Sequence, residues 1–224
     1  MKDIHSLEKS IGYTFKNIDL LKNALTHTSY AYENKVKSNE KLEFLGDSIL
    51  EFLSSKYIYN NYPKLKEGEM TKVRATVVCE ESLYKIANKH NFSDFLYLGK
   101  SEMMHQGNRK VTIMADSVEA VIAAIYFDSG LEEAEKFIVE NLKEEVKIAS
   151  QNVGMKDHKT VLQEKLQVHG TVNIEYRITN EQGPDHDKTF TAEVSLNGKV
   201  LAIGTGKTKK QAEMEAANKA LQQL

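Results

Sequence analysis

Four acidic residues follow one line of a predicted helix in NEKLEFLGDSILEFL, residues 39–53: Glu40, Glu43, Asp47 and Glu51. Beside them runs an apolar stripe, predicted to face the core: Leu42, Leu45, Ile49, Phe52 and Leu53. Such a line is usually the solvated face of an amphipathic helix. Here, however, like charges at i, i+4 repel one another, and Gly46 costs about 1 kcal/mol relative to alanine. A cation, or another backbone close to this side, would account for both costs.

A second acidic pair, Asp116 and Glu119, lies in IMADSVEAVIAAIYF, residues 113–127, which contains no other charge. The i, i+3 spacing places both on one face of a helix that is apolar nearly all round, and such helices are buried. A buried carboxylate destabilises the fold unless it is paired or binds a metal. One interpretation is therefore a salt bridge to one of three cationic residues: Lys72, Arg74 or Arg109.

The other interpretation brings the two helices together, so that four carboxylates form one oxygen-rich cluster: Glu43, Asp47, Asp116 and Glu119. Carboxylate oxygens suit a hard cation such as Mg²⁺. Clustered carboxylates that hold Mg²⁺ are typical of enzymes that cleave phosphodiester bonds. The residue pattern alone leaves both interpretations open.

The elements that position these carboxylates are predicted to be helices. Apolar residues recur at helical spacing over residues 17–29, 40–60, 70–90, 111–129 and 131–150. Pro63 ends the second helix, and Gly130 separates the last two. The pattern predicts an all-α domain over residues 1–150.

The pattern changes after Ser150. Polar residues 151–155 indicate a linker, and a short helix follows over residues 160–168. Apolar and polar residues then alternate over 172–178 and 190–196, and Asn197-Gly198 is a strong hairpin signal. A last helix begins at Thr208, which forms a capping-box pattern with Gln211. Residues 156–224 are therefore predicted to form an α+β domain with the order α-β-β-β-α.

A basic cluster crowds the start of that last helix: Lys207, Lys209 and Lys210. Cations at a helix N-terminus oppose the helix dipole. Bound phosphates would reverse this effect, because both the lysines and the free N–H groups attract them. The alternative is a solvated run of lysines, which is common on protein surfaces.

Composition indicates a globular protein of a reducing compartment. The chain has 224 residues, 41% of them hydrophobic, and a formal net charge of −2, which argues only mildly against a nucleic-acid partner. Cys79 is the only cysteine, so no intrachain disulfide forms, and it is predicted to be a small core side chain. No apolar run approaches a membrane span, and the N-terminus lacks the apolar core of a signal peptide. We expect a cytoplasmic protein with no membrane partner.

Four motifs resemble the ribonuclease III family in its own order along the chain: ALTHTSY, EKLEFLGDSILEFL, EGEMTKVRA and ADSVEAVIAAIYFDSG. The resemblance implies a homodimeric endoribonuclease that cleaves double-stranded RNA to 5′-phosphate and 3′-hydroxyl ends. It implies Mg²⁺ as cofactor, for which Mn²⁺ can substitute, and no small-molecule cofactor. It also implies processing of ribosomal RNA precursors and other structured transcripts, including messenger and transfer RNA.

The resemblance assigns roles to individual carboxylates. Glu43, Asp116 and Glu119 match the family's metal ligands, and Asp47 and Glu119 match its catalytic residues. Glu40 and Glu67 match accessory acidic residues, of which Glu40 lies at the rim of the catalytic valley near the dimer interface. Gly46 would allow close packing at the site or the interface.

The C-terminal segment resembles a double-stranded RNA-binding domain in its α-β-β-β-α order, its GPDH loop and its lysines. The resemblance implies that Lys209 and Lys210, helped by Lys207, contact phosphates across the major groove. It places three further residues at minor-groove positions: Gln163, Glu164 and His186.

Two functions without catalysis remain as alternatives. One is a double-stranded RNA-binding regulator that has lost its nuclease activity, and the other is a ribosome-assembly factor on the same fold. Loss of Asp116 or Glu119 would favour them, and both residues are present.

Overall fold

The computed structural model describes residues 3–153, 158–167, 173–184 and 188–224, and it divides into two compact units, Met1–Gly154 and Met155–Leu224. The first unit is helical, as predicted. Its helices are α1 (Ile4–Ile11), α2 (Ile18–Ala24), α3 (Thr28–Asn34), α4 (Glu40–Asn61), α5 (Glu67–Val77), α6 (Glu80–Lys89), α7 (Lys100–Met104), α8 (Val111–Ser129) and α9 (Leu131–Val153). Two short 3-10 helices cover Phe92–Asp94 and Gly107–Arg109.

Helix α8 is the centre of this unit. It packs against α2, α4, α6 and α9, and most of its side chains are buried on every side, as its nearly continuous apolar sequence predicts. At its C-terminal end Asp128 accepts hydrogen bonds from the backbone N–H groups of Lys16 and Asn17, each 2.9 Å long, and from the Tyr13 hydroxyl at 2.6 Å. Partial burial and the bond to Asp128 raise the pKa of Tyr13 to about 12. These bonds fix the N-terminal segment to the end of α8.

Helix α4 approaches α8 so closely that their backbones touch at Gly46. A Cβ atom added at this glycine would overlap the backbone carbonyl group of Glu119. Gly46 is therefore required by contact between helices, and the close packing predicted for it is confirmed within the helical unit. The same contact brings the acidic line of α4 beside the acidic pair of α8.

Three predictions about this unit are wrong. Residues 70–90 form two helices instead of one, because the chain turns at Val78 and Cys79, and Cys79 is exposed instead of buried. Phe52 is 56% exposed and does not belong to the core stripe of α4. Helix α9 continues through residues 151–153, which are the first residues of the predicted linker.

The second unit has the predicted α-β-β-β-α order. Helix α10 (His158–Gln167) precedes strands β1 (Ile174–Gln182), β2 (Thr189–Leu196) and β3 (Lys199–Gly206), and helix α11 (Lys209–Gln222) follows them. The strands form one antiparallel sheet in the order β1-β2-β3, with Tyr176 opposite Val194. The hairpin signal is confirmed, because Asn197 and Gly198 both have positive φ, 49° and 82°.

Helix α11 covers the sheet with a face of small residues: Ala212, Ala216, Ala217 and Ala220. Gly204 of β3 lies against this face, and a side chain there would overlap the backbone of Ala216. Thr208 caps the helix, since its hydroxyl accepts from the N–H of Gln211 at 3.1 Å, and the Gln211 side chain accepts from the N–H of Lys207 at 3.0 Å. The N-cap bond of the predicted capping box is therefore present, but the Gln211 side chain bonds to the N–H of Lys207 instead of the N–H of the cap residue Thr208.

We predict that Gly46→Ala destabilises the protein by roughly 1–3 kcal/mol, because the added methyl group forces α4 and α8 apart. Gly68→Ala is the matched control. Gly68 also lies in a helix, but a Cβ there would meet nothing within 4 Å, so we expect stabilisation of about 0.5–1 kcal/mol. Urea unfolding of both variants measures the difference. A stability of Gly46→Ala equal to or above that of the parent would contradict the contact.

Candidate active site and nucleic-acid interface

Three of the predicted carboxylates meet where α4 crosses α8. Glu43, Asp116 and Glu119 each offer one oxygen atom, and these three oxygens lie within 4.8 Å of one another. The helix spacing explains the arrangement: Glu43 lies one turn before Gly46 on α4, and Asp116 lies one turn before Glu119 on α8. All three side chains are partly buried, and each stands close enough to the others to form one multidentate oxygen site.

Burial and mutual repulsion change the proton affinity of this cluster. Burial, followed by the charges of Asp47, Asp116 and Glu43, raises the pKa of Glu119 to about 8. The pKa of Glu43 is also raised, first by burial and then by the charges of Asp116, Glu40 and Asp47. Asp47 is therefore an exposed electrostatic neighbour of the three-carboxylate cluster. A cation at this position would relieve the repulsion.

The salt-bridge interpretation of the acidic pair is wrong. Arg74 instead pairs with Glu51 at 2.9 Å and donates to the Ser55 hydroxyl at 3.0 Å. Across the described ranges, neither Asp116 nor Glu119 forms an ion pair with a lysine or an arginine. Partly buried carboxylates without a counter-charge destabilise a fold, so the absence of these ion pairs favours the metal-site interpretation of the cluster.

The two accessory acidic residues lie outside the cluster. Glu40 is exposed at the start of α4, where it accepts from the Ser38 hydroxyl at 2.8 Å. Glu67 begins α5 and accepts from the Thr71 hydroxyl at 3.2 Å. Glu67 lines an open, mainly apolar cleft of about 600 Å³ between α4 and α5. Glu67 therefore borders this cleft, and it is not one of the three clustered carboxylates.

The predicted RNA-binding side chains are presented to solvent. Lys207, Lys209 and Lys210 are all exposed at the N-terminus of α11, and the ammonium of Lys209 lies 5.8 Å from the centre of the Phe190 ring. Gln163 and Glu164 are exposed on α10. The remaining predicted residue, His186, lies outside the described residues.

Sequence reasoning missed one carboxylate near the site, Glu80 at the start of α6. Its negative charge is, after burial, the main cause that raises the pKa of Asp116, while His27 acts in the opposite direction. No spacing in the sequence relates Glu80 to Asp116, since only the packing of α6 on α8 brings the elements together. The His27 ring also caps α3, because it accepts a hydrogen bond from the Ser29 N–H at 3.2 Å.

Comparison with known proteins identifies the family. A family model for ribonuclease-III-like domains matches residues 17–146, and a model for the double-stranded RNA binding motif matches residues 158–224. A Carboxydothermus hydrogenoformans protein named ribonuclease 3 is 46% identical, over 100% of this chain and 96% of its own length. The chain belongs to the ribonuclease III family. A ribonuclease 3 from Clostridium perfringens is 44% identical, again over 100% of this chain and 96% of its own.

Solved structures agree with this assignment for the helical unit. The nuclease domain of ribonuclease III from Campylobacter jejuni superimposes with a TM-score of 0.60 at 38% identity, and the match covers 64% of this chain and 98% of that domain. That domain is described as flexible in a region involved in dimer formation. The predicted ribonuclease III fold is thus confirmed.

Family membership also decides between the predicted functions. The chain is an endoribonuclease that acts on double-stranded RNA. Its family is one of metal-dependent nucleases, and the structure contains an acidic cluster. A regulator or an assembly factor without catalysis is not favoured by these relatives. Within the described residues, no helix is long and apolar enough to cross a membrane.

Proposed function

We propose that this ribonuclease III family member hydrolyses phosphodiester bonds of duplex RNA with Mg²⁺, leaving 5′-phosphate and 3′-hydroxyl ends. The proximity of the three carboxylate oxygens of Glu43, Asp116 and Glu119 supports this proposal most directly. Its cellular substrates would be ribosomal RNA precursors and other structured transcripts in the cytoplasm. Sequencing of transcript ends in cells that lack the protein tests this assignment.

The donor set fits a hard divalent cation. Carboxylate oxygens are the ligands that Mg²⁺ prefers, and Mn²⁺ accepts the same donors. Without a cation, burial and the neighbouring negative charges raise the pKa of Glu119 to about 8, because they disfavour its ionised form, and a bound cation would favour that ionised form. When bound, Mg²⁺ supplies an activated water and stabilises charge on the phosphate.

Asp47, the fourth carboxylate of the predicted cluster, contributes to proton transfer and to orienting the attacking water. Asp47 lies one turn after Glu43 on α4, and its charge is, after burial, the largest cause that raises the pKa of Glu119. We assign Asp47 and Glu119 to orienting the water that attacks phosphorus and to accepting its proton. Because Asp47 is exposed while Glu119 is partly buried, Asp47 can exchange that proton with solvent.

The second unit supplies much of the grip on RNA. Lys207, Lys209 and Lys210 would contact phosphates, and the N-terminus of α11 adds the favourable end of the helix dipole. Gln163 and Glu164 on α10 would contact a minor groove, where 2′-hydroxyl groups distinguish RNA from DNA. His186 is proposed for a second minor-groove contact on the family resemblance alone.

The active species is proposed to be a homodimer through the nuclease unit. Three aromatic side chains of α4 remain exposed in the single chain: Phe44 (77%), Phe52 (56%) and Tyr59 (71%). Phe52 and Tyr59 line the cleft that Glu67 faces. An exposed aromatic surface of this kind is typical of a protein interface. A second copy on this face would also bring Glu40 and Glu67 close to the dimer interface.

We predict that Glu119→Ala lowers the cleavage rate of duplex RNA more than about 100-fold. Even substitution of residues that only support metal ligands through hydrogen bonds lowers metal affinity or activity about 10–100-fold. Duplex binding should remain nearly intact, because the second unit supplies much of the grip. Glu140→Ala, a change at an exposed position of α9, is the control and should cleave like the parent. The assay uses a long duplex with Mg²⁺ or with EDTA, followed by end-group analysis. Equal turnover of Glu119→Ala and the parent at saturating Mg²⁺ would refute the proposed metal site.

We predict that Lys209→Ala combined with Lys210→Ala weakens duplex binding and makes it less sensitive to salt. The slope of log affinity against log salt should shrink by roughly one unit per lysine, because each lost phosphate contact releases one counterion fewer. The loss should be similar for duplexes of different sequence. Lys219→Ala, at the far end of α11, should keep the parent slope. An unchanged slope in the double variant would identify a solvated run of lysines.

We predict that light scattering at micromolar concentration gives twice the mass of the 25.4 kDa chain. Phe52→Ala should weaken dimerisation about 10-fold or more, because buried aromatic side chains contribute most to interface affinity. Tyr32→Ala is the control, since Tyr32 is 90% exposed on α3 and does not line the cleft. A monomeric parent, or equal dissociation constants for Phe52→Ala and Tyr32→Ala, would argue against this interface.

A further inference from the structure

Lys159 reaches from the first turn of α10 to α11, where its ammonium meets the carboxylate of Glu213 at 2.7 Å. The same nitrogen lies over the Tyr176 ring of β1, 4.1 Å from its centre. At this distance the face of an aromatic ring attracts a cation. Both ionic side chains are partly buried, with exposed fractions of 35% for Lys159 and 24% for Glu213. The ammonium of Lys159 is therefore held by two contacts on two neighbouring elements.

The carboxylate that this ammonium holds stands beside the basic cluster of α11. Glu213 lies four residues after Lys209 and three after Lys210, and residues at these spacings are neighbours on a helix surface. A lysine and a glutamate so placed attract each other, and Glu215 with Lys219 forms such a pair on the same helix at 3.9 Å. Glu213 pairs instead with the lysine of α10, and in the described part of the second unit neither Lys209 nor Lys210 forms an ion pair.

The packing of α10 on α11 does not depend on this ion pair. Leu162 of α10 is fully buried and belongs to one apolar core with Ala216 and Ala217 of α11. Burial of this apolar surface already holds the two helices together. An ion pair that is partly open to solvent contributes little to stability. A role in placing charge therefore accounts for the pair better than a role in folding does.

We propose that Lys159 is a positioning residue for RNA binding, which keeps Glu213 away from the phosphate-binding lysines. Because Lys159 neutralises and holds this carboxylate, the ammonium groups of Lys209 and Lys210 stay free for phosphates. Without Lys159, Glu213 would pair with one of them, and its negative charge would repel the RNA backbone. The inference rests on the proposed phosphate contacts of Lys209 and Lys210 and adds a residue that acts on them through Glu213.

The test measures the affinity of the full chain for a long RNA duplex at several salt concentrations, in EDTA so that the duplex stays intact. We expect Lys159→Met to weaken binding roughly fivefold and to flatten its salt dependence, because Glu213 then competes with phosphate for a lysine. Methionine keeps an apolar stem against the Tyr176 ring. Lys159→Arg keeps the charge and should bind like the parent. Thermal unfolding of each variant shows whether the fold is retained.

The decisive variant combines Lys159→Met with Glu213→Gln. Removal of the competing carboxylate should restore both the affinity and the salt slope, although the lysine of α10 is still absent. Glu213→Gln alone should bind at least as tightly as the parent. Lys219→Met is the matched control, because it also removes one positive charge and leaves Glu215 without its lysine, but at the far end of α11. It should stay within about twofold of the parent, since distant surface charges are screened by salt.

The outcomes separate this inference from the proposal on which it rests. Equal affinities of Lys159→Met and Lys219→Met would overturn the role of Lys159. Equal losses in Lys159→Met and in the double variant would overturn it too, because Lys159 would then contact RNA itself or support the fold. A loss in Glu213→Gln as large as that in Lys159→Met would identify a purely structural ion pair. An unchanged salt slope after Lys209→Ala with Lys210→Ala would overturn the phosphate contacts and this inference together.

Discussion

The nuclease unit depends on one contact, the approach of the α4 backbone to the α8 backbone at Gly46. Glycine is needed there because any side chain would meet the carbonyl group of Glu119. The contact sets the distance between two helices that each carry acidic residues, and so it sets the spacing of Glu43, Asp116 and Glu119. A wider helix pair would retain the same residues but would separate their oxygens beyond the reach of one small cation.

The close approach of these carboxylates is electrostatically unfavourable, and the packing of the surrounding helices must offset it. Carboxylates that burial and like charges disfavour remain together because most of the apolar surface of α8 is enclosed by its neighbours. The bonds from Tyr13 and the 16–17 backbone to Asp128 close the far end of the same helix. The two halves of α8 thus have opposite effects on the stability of the fold. Its N-terminal half carries the destabilising carboxylates, and its apolar packing and the bonds at its C-terminal end offset that cost.

Sequence reasoning recovered what periodicity encodes and missed what depends on contacts between helices. The acidic pair of α8 could be predicted because two charges interrupt an apolar segment, and the Asn197-Gly198 turn because its backbone demands those residues. Helical spacing predicts Phe52 in the core, but Phe52 is exposed. Spacing alone does not reveal which apolar side of a helix has no other helix packed against it. Glu80 gave no signal, since its relation to Asp116 exists only after α6 has packed on α8.

The alanine face of α11 has a consequence for the thermal stability of the second unit. Small side chains let the helix lie close to the sheet, but each buries little apolar area, and the core of the second unit rests on few large residues. A unit of this size buries a smaller fraction of its surface than the helical unit does. We therefore expect it to open first as temperature rises. Near that temperature the helical unit with its carboxylate cluster would stay folded while the second unit unfolds. Warming would therefore lower the affinity for long duplexes before it lowers the rate of the cleavage step.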